Sequence, residues 1–355
     1  MKALILLVLA PAVLGGAAGL RALPPMSVDR AAHTATLLAD GRVLVAGGIR
    51  QGEAALRSGE LYDPRTRRFA RTGSMTIVRS GHTATLLPDG RVLVTGGWDD
   101  DDPLASAELY DPAGGRFAPT GSMSIARGGA TATLLADGSV LVAGGYDGKD
   151  AVKSAELYDA CTGSFTAVGS MELPRSSHTA TRLADGRVLV AGGSSRAGVL
   201  AAAEIYEPAA RSFAPAGAMA VPRHKHGAVL LRDGRVLIVG GSDERDWEGR
   251  YRSAELFDPG TGRFTPTGSM RAPRFKLADA ITTLPGERVL VAGGGTLAEV
   301  YRGGRFVPAG RFDAARYFAT ATRLLDGSVL IAGGYDRAIR PAARAWLYRP
   351  GAPPR

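Results

Sequence analysis

Arg79-Ser-Gly-His-Thr-Ala-Thr-Leu-Leu-Pro-Asp-Gly-Arg-Val-Leu-Val-Thr-Gly-Gly97 is the stretch that decides the fold. Two short apolar runs flank Asp89-Gly90. Asp-Gly in that setting signals a hairpin, because a tight turn with the right twist needs positive φ, which Gly and Asp tolerate best. A polar loop follows, then Ala107-Glu-Leu-Tyr-Asp-Pro112 and Arg116-Phe-Ala-Pro-Thr-Gly-Ser-Met123. The unit therefore reads as four short strands, the first two over 82–87 and 92–95.

The same phrase returns along the chain. Gly-Gly pairs stand at Gly47-Gly48, Gly96-Gly97, Gly144-Gly145, Gly192-Gly193, Gly240-Gly241, Gly293-Gly294 and Gly333-Gly334, with spacings of 49, 48, 48, 48, 53 and 40 residues. A period of this size marks small units that bury their apolar faces only against neighbouring units. Asp-Gly recurs at Asp40-Gly41, Asp137-Gly138, Asp185-Gly186, Asp233-Gly234 and Asp326-Gly327, whereas Pro285-Gly286-Glu287 replaces it once, so that turn should differ. The second strand of each unit is apolar throughout instead of alternating, which suits a strand packed on both faces, as in a propeller blade. No long helical periodicity is present, and Gly and Pro fall at turns.

These features resemble the kelch-repeat family. The resemblance rests on Gly-Gly after the second strand and on an aromatic downstream (Tyr62, Tyr110, Tyr158, Tyr206, Phe257, and Tyr301 and Tyr348 at other distances). It covers nearly all of the chain after the leader, although Phe69, Phe117, Phe165, Phe213, Phe264 and Phe306 stand where many kelch units have Trp. It implies an all-β, seven-bladed kelch-type propeller with four-stranded antiparallel blades. Kelch propellers include the galactose-oxidase-like copper enzymes, but no position here can be matched to their copper ligands, so no cofactor and no metal are expected.

The fourth strand occurs only six times, because the chain ends Tyr348-Arg-Pro-Gly-Ala-Pro-Pro-Arg355. Leu23-Pro-Pro-Met26 precedes Arg30 at the offset that Thr72-Gly-Ser-Met75 keeps before Arg79. Residues from about Leu20 are thus expected to supply the outer strand of the last blade, prolines being tolerable at an outer edge. A six-bladed ring with a frayed end is the alternative.

Residues 1–19 read as a signal peptide: one Lys, an apolar stretch from Ala3 to Leu14, and small residues at Ala17-Ala18-Gly19. The expected protein, 20–355, is secreted or periplasmic, without a membrane span after cleavage. Cys161 is the only cysteine, so no intramolecular disulfide is possible. The net charge of +9 comes almost entirely from scattered Arg without basic runs, which argues against nucleic acid as partner. Oligomeric state is not legible.

Arg30, Arg79, Arg127, Arg175, Arg223, Arg274 and Arg316 share one repeat position, and Glu60, Glu108, Glu156, Glu204, Glu255 and Glu299 share another. Catalytic groups do not come in so many equivalent copies, so these are expected to form repeated structural ion pairs or backbone caps. Blade seven has Trp346 at the Glu position, which should leave Arg316 free. His33, His82, His178 and His226 follow the Arg by three residues and are expected to start inner strands. Trp98-Asp-Asp-Asp-Asp102 lacks the ligand spacing of a calcium loop.

Loop length points to a functional face. From the second Gly to the Glu position the chain advances 12, 11, 11, 11, 14, 5 and 12 residues through the seven units. A long loop on blade five beside a truncated one on blade six should leave a notch. Arg223, His224, Lys225, His226, Trp247, Arg250, Tyr251, Arg252, Arg274, Phe275 and Lys276 fall around it, offering cations for carboxylates or phosphates and flat rings for sugars. These residues are expected to bind an anionic glycan or an acidic protein surface, with no catalytic residues assigned. The alternative is a sugar-processing enzyme resembling sialic acid mutarotases, with His226, Arg223 and Arg274 in the central channel.

Overall fold

A computed structural model describes residues 19–52 and 54–351. The expected signal peptide, apart from Gly19, lies outside the described residues. Among the described residues there is no helix, and hence none long and apolar enough to cross a membrane.

Among the described residues seven four-stranded antiparallel sheets form the ring, and a short hairpin of Ser194–Ser195 with Gly198–Val199 is added on blade four. In the second blade the strands are Thr83–Leu86, Val92–Thr95, Ala107–Asp111 and Arg116–Pro119. First strands contact first strands of both neighbouring blades all round the ring, so they line the axis. The ring closes as the sequence led us to expect: Gly19–Ala22 pairs antiparallel with Ala345–Arg349 in the last blade. The prolines at 24 and 25 fall just after this strand, where no ladder bond is needed.

The second strands are buried along their whole length because alternate residues serve different interfaces. Leu44 and Ala46 pack with Val92, Val94 and Tyr110 of the next blade, whereas Val43 and Val45 pack with Leu330 and Ala332 of the previous one. The aromatic of each third strand is buried, and in blades one to six it tilts onto a fourth-strand Phe, as in Tyr110 and Phe117 with centroids 4.7 Å apart. Tyr110, Tyr158 and Tyr301 also bond through their hydroxyls to Thr72, Thr120 and Thr267 of the preceding blade, at 2.7, 2.8 and 2.8 Å. Where that Thr is Val168, the Tyr206 hydroxyl is buried without a partner, and beyond Ala216 the aromatic is Phe257, which has no hydroxyl to satisfy.

The hairpin turns divide their chemistry between two residues. Gly90 takes φ +87° and Asp89 does not; Asp89 instead accepts the Arg91 N–H at 2.9 Å. With Gly90 N–H bonded to Leu87 O, this is a type I turn closed by a left-handed glycine. Pro285-Gly286-Glu287 does differ, with both Gly286 and Glu287 at positive φ.

The Gly-Gly pairs sit at the blade interface. At Gly144 (φ +63°) a Cβ would lie 2.5 Å from the Arg175 carbonyl and 2.7 Å from the His178 ring. Conformation and space both demand glycine there.

Candidate functional site

The repeated Arg and Glu form a buried lattice. Arg127 donates to Gly144 O, Ser154 O, Ser154 Oγ and Glu156 Oε1 at 2.8, 2.9, 2.8 and 3.0 Å. The other carboxylate oxygen of Glu156 accepts the Ser124 N–H at 2.9 Å, which ties the incoming connector to the blade. Pairs Arg30–Glu60, Arg79–Glu108, Arg175–Glu204, Arg223–Glu255 and Arg274–Glu299 repeat the arrangement. Arg316 is not free, contrary to the expectation from Trp346. It bonds Asp313 at 2.6 Å and lies 4.9 Å from the Trp346 ring centroid. A nearby aspartate and a π face replace the missing Glu.

This lattice removes three residues from the expected ligand site. Arg223 and Arg274 are buried beneath the loops and paired with Glu255 and Glu299, and His226 is buried with its Nε2 on Thr179 Oγ1 of the preceding blade at 2.8 Å. His82 and His178 make the same inter-blade bond to Thr34 and Thr131, each at 3.0 Å, and His33 reaches Thr320 at 3.2 Å. Burial, with the adjacent Arg charges, lowers His82 and His178 to about 3, so they are neutral. The sugar-processing alternative built on His226, Arg223 and Arg274 therefore lacks its accessible groups.

Directly above these groups, the residue two after each Arg takes a left-handed conformation in every blade, φ running from 51° to 63°. Backbone bonds link this ring from blade to blade, as in Gly81 N–H to Ala32 O and Lys225 N–H to Ser177 O. The ring borders a central channel cavity of about 510 Å³. Its members are Ala32, Gly81, Gly129 and Ser177 on blades one to four, then Lys225, Lys276 and Phe318 on blades five to seven. The symmetry of small residues is thus broken on one side of the mouth.

On that side the expected residues meet others. Lys225 Nζ holds both Asp246 oxygens at 2.9 and 2.8 Å, and His224 Nε2 lies 3.3 Å from the same carboxylate. Burial opposes the charge on Asp246, but bonds from His224 and Lys225 outweigh it and keep the carboxyl well below its usual range. Trp247 folds over the truncated blade six and meets Phe275 and Tyr317 edge-on at 4.9 and 4.7 Å. Lys276 lies among the rings of Trp247, Phe275, Phe318 and Tyr335. Asp279 also lines the cavity, with its side chain exposed to it.

Beside the channel mouth lies a groove of about 590 Å³, bounded by Arg250 of the blade-five loop and by Asp336, Arg337 and Arg340 of blade seven. Its floor is Gly294, Gly295 and Thr296, the shortened loop of blade six. Arg340 pairs with Asp336, whereas Arg250 and Arg337 have no carboxylate partner among the described residues. The Arg250 guanidinium donates to the Tyr317 hydroxyl at 3.3 Å. Tyr251 and Arg252 stay outside the groove's lining: the Tyr251 ring stacks under Arg223, and Arg252 is exposed.

Sequence reasoning missed Asp246, Asp279, Phe318, Tyr317, Tyr335 and Arg337. Reading the column two after each Arg would have exposed the change from small residues to Lys, Lys and Phe.

The architecture is that of a seven-bladed β-propeller. The Kelch motif model matches residues 79–124 and 128–172, and the other blades repeat the same positions, so the chain is a kelch-repeat β-propeller. No curated protein matches the sequence. A solved structure of a fungal alcohol oxidase of the AA5 family, in complex with copper, superposes with a TM-score of 0.75 at 18% identity, covering 95% of this chain and 79% of that one. The likeness is one of fold. The donor set does not fit copper: each channel His uses Nε2 on a neighbouring Thr, and no group of three His, Cys, Asp or Glu gathers among the described residues. The acidic loop is likewise occupied internally, Asp99 accepting its own loop N–H groups and Asp100 the Ala55 N–H.

Proposed function

We propose that the protein is an exported binding module that takes an anionic glycan in the groove over blade six. The observation that carries this reading is the pair Arg250 and Arg337, two cations without carboxylate partners facing a glycine-floored groove. Guanidinium groups recognise carboxylates through paired charged hydrogen bonds, and a glycine floor admits close approach. Tyr317, buried in the groove wall, meets the Arg250 guanidinium through its hydroxyl at 3.3 Å. Export follows from the apolar leader sequence.

The test is a glycan-array screen at two salt concentrations beside an Arg250→Ala, Arg337→Ala double variant. Arg274, which belongs to the buried lattice, is unsuitable for this purpose. Salt-sensitive binding to acidic glycans, weakened at least about 10-fold in the variant, is expected from losing two charged contacts. Absence of acidic-glycan binding at both salts, or binding indifferent to the variant, overturns the reading; capture of acidic proteins alone would transfer the groove to a protein partner.

A further inference from the structure

The channel mouth carries a second site whose argument does not depend on the groove. Lys276 lines the channel cavity, and its Nζ lies 4.7, 4.8, 5.2 and 5.3 Å from the ring centroids of Trp247, Phe275, Tyr335 and Phe318. It donates to the Tyr335 hydroxyl at 2.6 Å. Among the described residues no carboxylate forms an ion pair with it, since Asp246, the acid it senses, is held by Lys225. By contrast, the lattice Arg of each of blades one to six has its own Glu.

The identity of the side chain matters. Of 43 basic residues only Lys2, Lys149, Lys153, Lys225 and Lys276 are lysines. An Arg would also suit an aromatic cage, but it cannot give up its proton, whereas a lysine can become a neutral nucleophile. Desolvation by apolar groups and proximity to another cation are the two environments that activate an amine. Lys276 has both, the rings and Lys225.

We propose that the channel mouth is a carbonyl-binding site in which Lys276 forms a reversible imine with a small hydroxylated aldehyde or ketone. The neutral Nζ adds to the carbonyl carbon and the C=O π pair moves to oxygen, giving a carbinolamine. Both Nζ protons then leave with that oxygen as water, and C=N remains; nothing is oxidised or reduced. The Tyr335 hydroxyl is placed to pass protons between nitrogen and oxygen. Thr36, Thr83 and Thr282 on the cavity wall offer hydroxyl partners for a hydroxylated ligand.

Burial and then Lys225 lower the ammonium to about 8, with Asp246 opposing. At pH 7 roughly one amine in ten is then free, against fewer than about one in a thousand for an ordinary lysine. The experiment incubates the folded protein with glyceraldehyde and cyanoborohydride, which traps imines as secondary amines, and maps adducts by peptide mass spectrometry between pH 6 and 9. Exposed Lys149 and Lys153 are internal controls. At pH 7 Lys276 is expected to label at least about 10-fold faster than either, with a rate that rises towards a plateau above pH 8. Lys276→Arg should abolish that adduct alone, and Tyr335→Phe should slow it while leaving the controls unchanged. Lys276 labelling no faster than Lys149 and Lys153, or not at all, overturns the proposal even if a variant fails to fold. Glycan binding in the groove stands or falls separately, on Arg250 and Arg337.

Discussion

Glu156→Ala tests whether the lattice, and not only apolar packing, holds the ring. Arg127 and Glu156 side chains are 0% and 3% exposed, so water cannot replace the lost carboxylate. The substitution leaves a buried guanidinium with three neutral acceptors and strands the Ser124 N–H. Removing one partner of a buried pair costs about 3–5 kcal/mol. In a chain of this length that corresponds to a fall in Tm of roughly 4–7 °C. Asp313→Ala is the comparison, because Asp313 is 44% exposed, so water can reach the side of Arg316 it vacates, and Arg316 keeps the Trp346 face; its loss is expected to be clearly smaller than that of Glu156→Ala. Adding Arg127→Met to a Glu156→Leu change should recover only part of the loss, since the Gly144 and Ser154 carbonyls lose their donor. Urea melts followed by tryptophan fluorescence and circular dichroism give the comparison. A Glu156→Ala cost no larger than that of Asp313→Ala would refute a desolvated pair.

Other outcomes follow from single contacts. Val168→Thr places a hydroxyl where Thr72 and Thr120 meet their tyrosines and should stabilise by about 1 kcal/mol by satisfying Tyr206, measured as a raised urea midpoint; an unchanged or lower midpoint refutes the equivalence. Gly144→Ala should cost at least about 2 kcal/mol from left-handed backbone and contact with Arg175 O, and a neutral effect would show that the interface yields. The inter-blade histidines make stability pH-dependent. Their protonation is depressed in the fold, so the unfolded chain binds more protons: stability is full above about pH 6.5 and falls as pH drops towards 3, by up to roughly 1.4 kcal/mol per pH unit for each histidine. Equal urea midpoints at pH 7 and pH 5 would contradict their buried, neutral state.

The repeat was legible because each blade solves the same problem with the same residues. Gly-Gly marks where two backbones meet, Asp-Gly marks the turn, and the continuous apolar strand marks burial on both faces. Even ring closure could be counted from the missing fourth strand. Arg316 was misread because a carboxylate three residues away and an indole face can stand in for Glu, and the repeat register records neither. The notch over blade six was visible as a difference in loop length.

The sequence by itself determined the blade, its number of copies and the positions that must be glycine, since those depend on local conformation and on contacts that recur every period. Only the tertiary structure decided which polar residues belong to the buried lattice and which line the channel. Arg223, Arg274 and His226 resemble their neighbours Lys225 and Lys276 in sequence, yet the first three point into the lattice and the last two line the channel. That division is set by the turn of the backbone at the left-handed ring and by Trp247 folding across the space that blade six leaves, which brings together residues far apart in the chain.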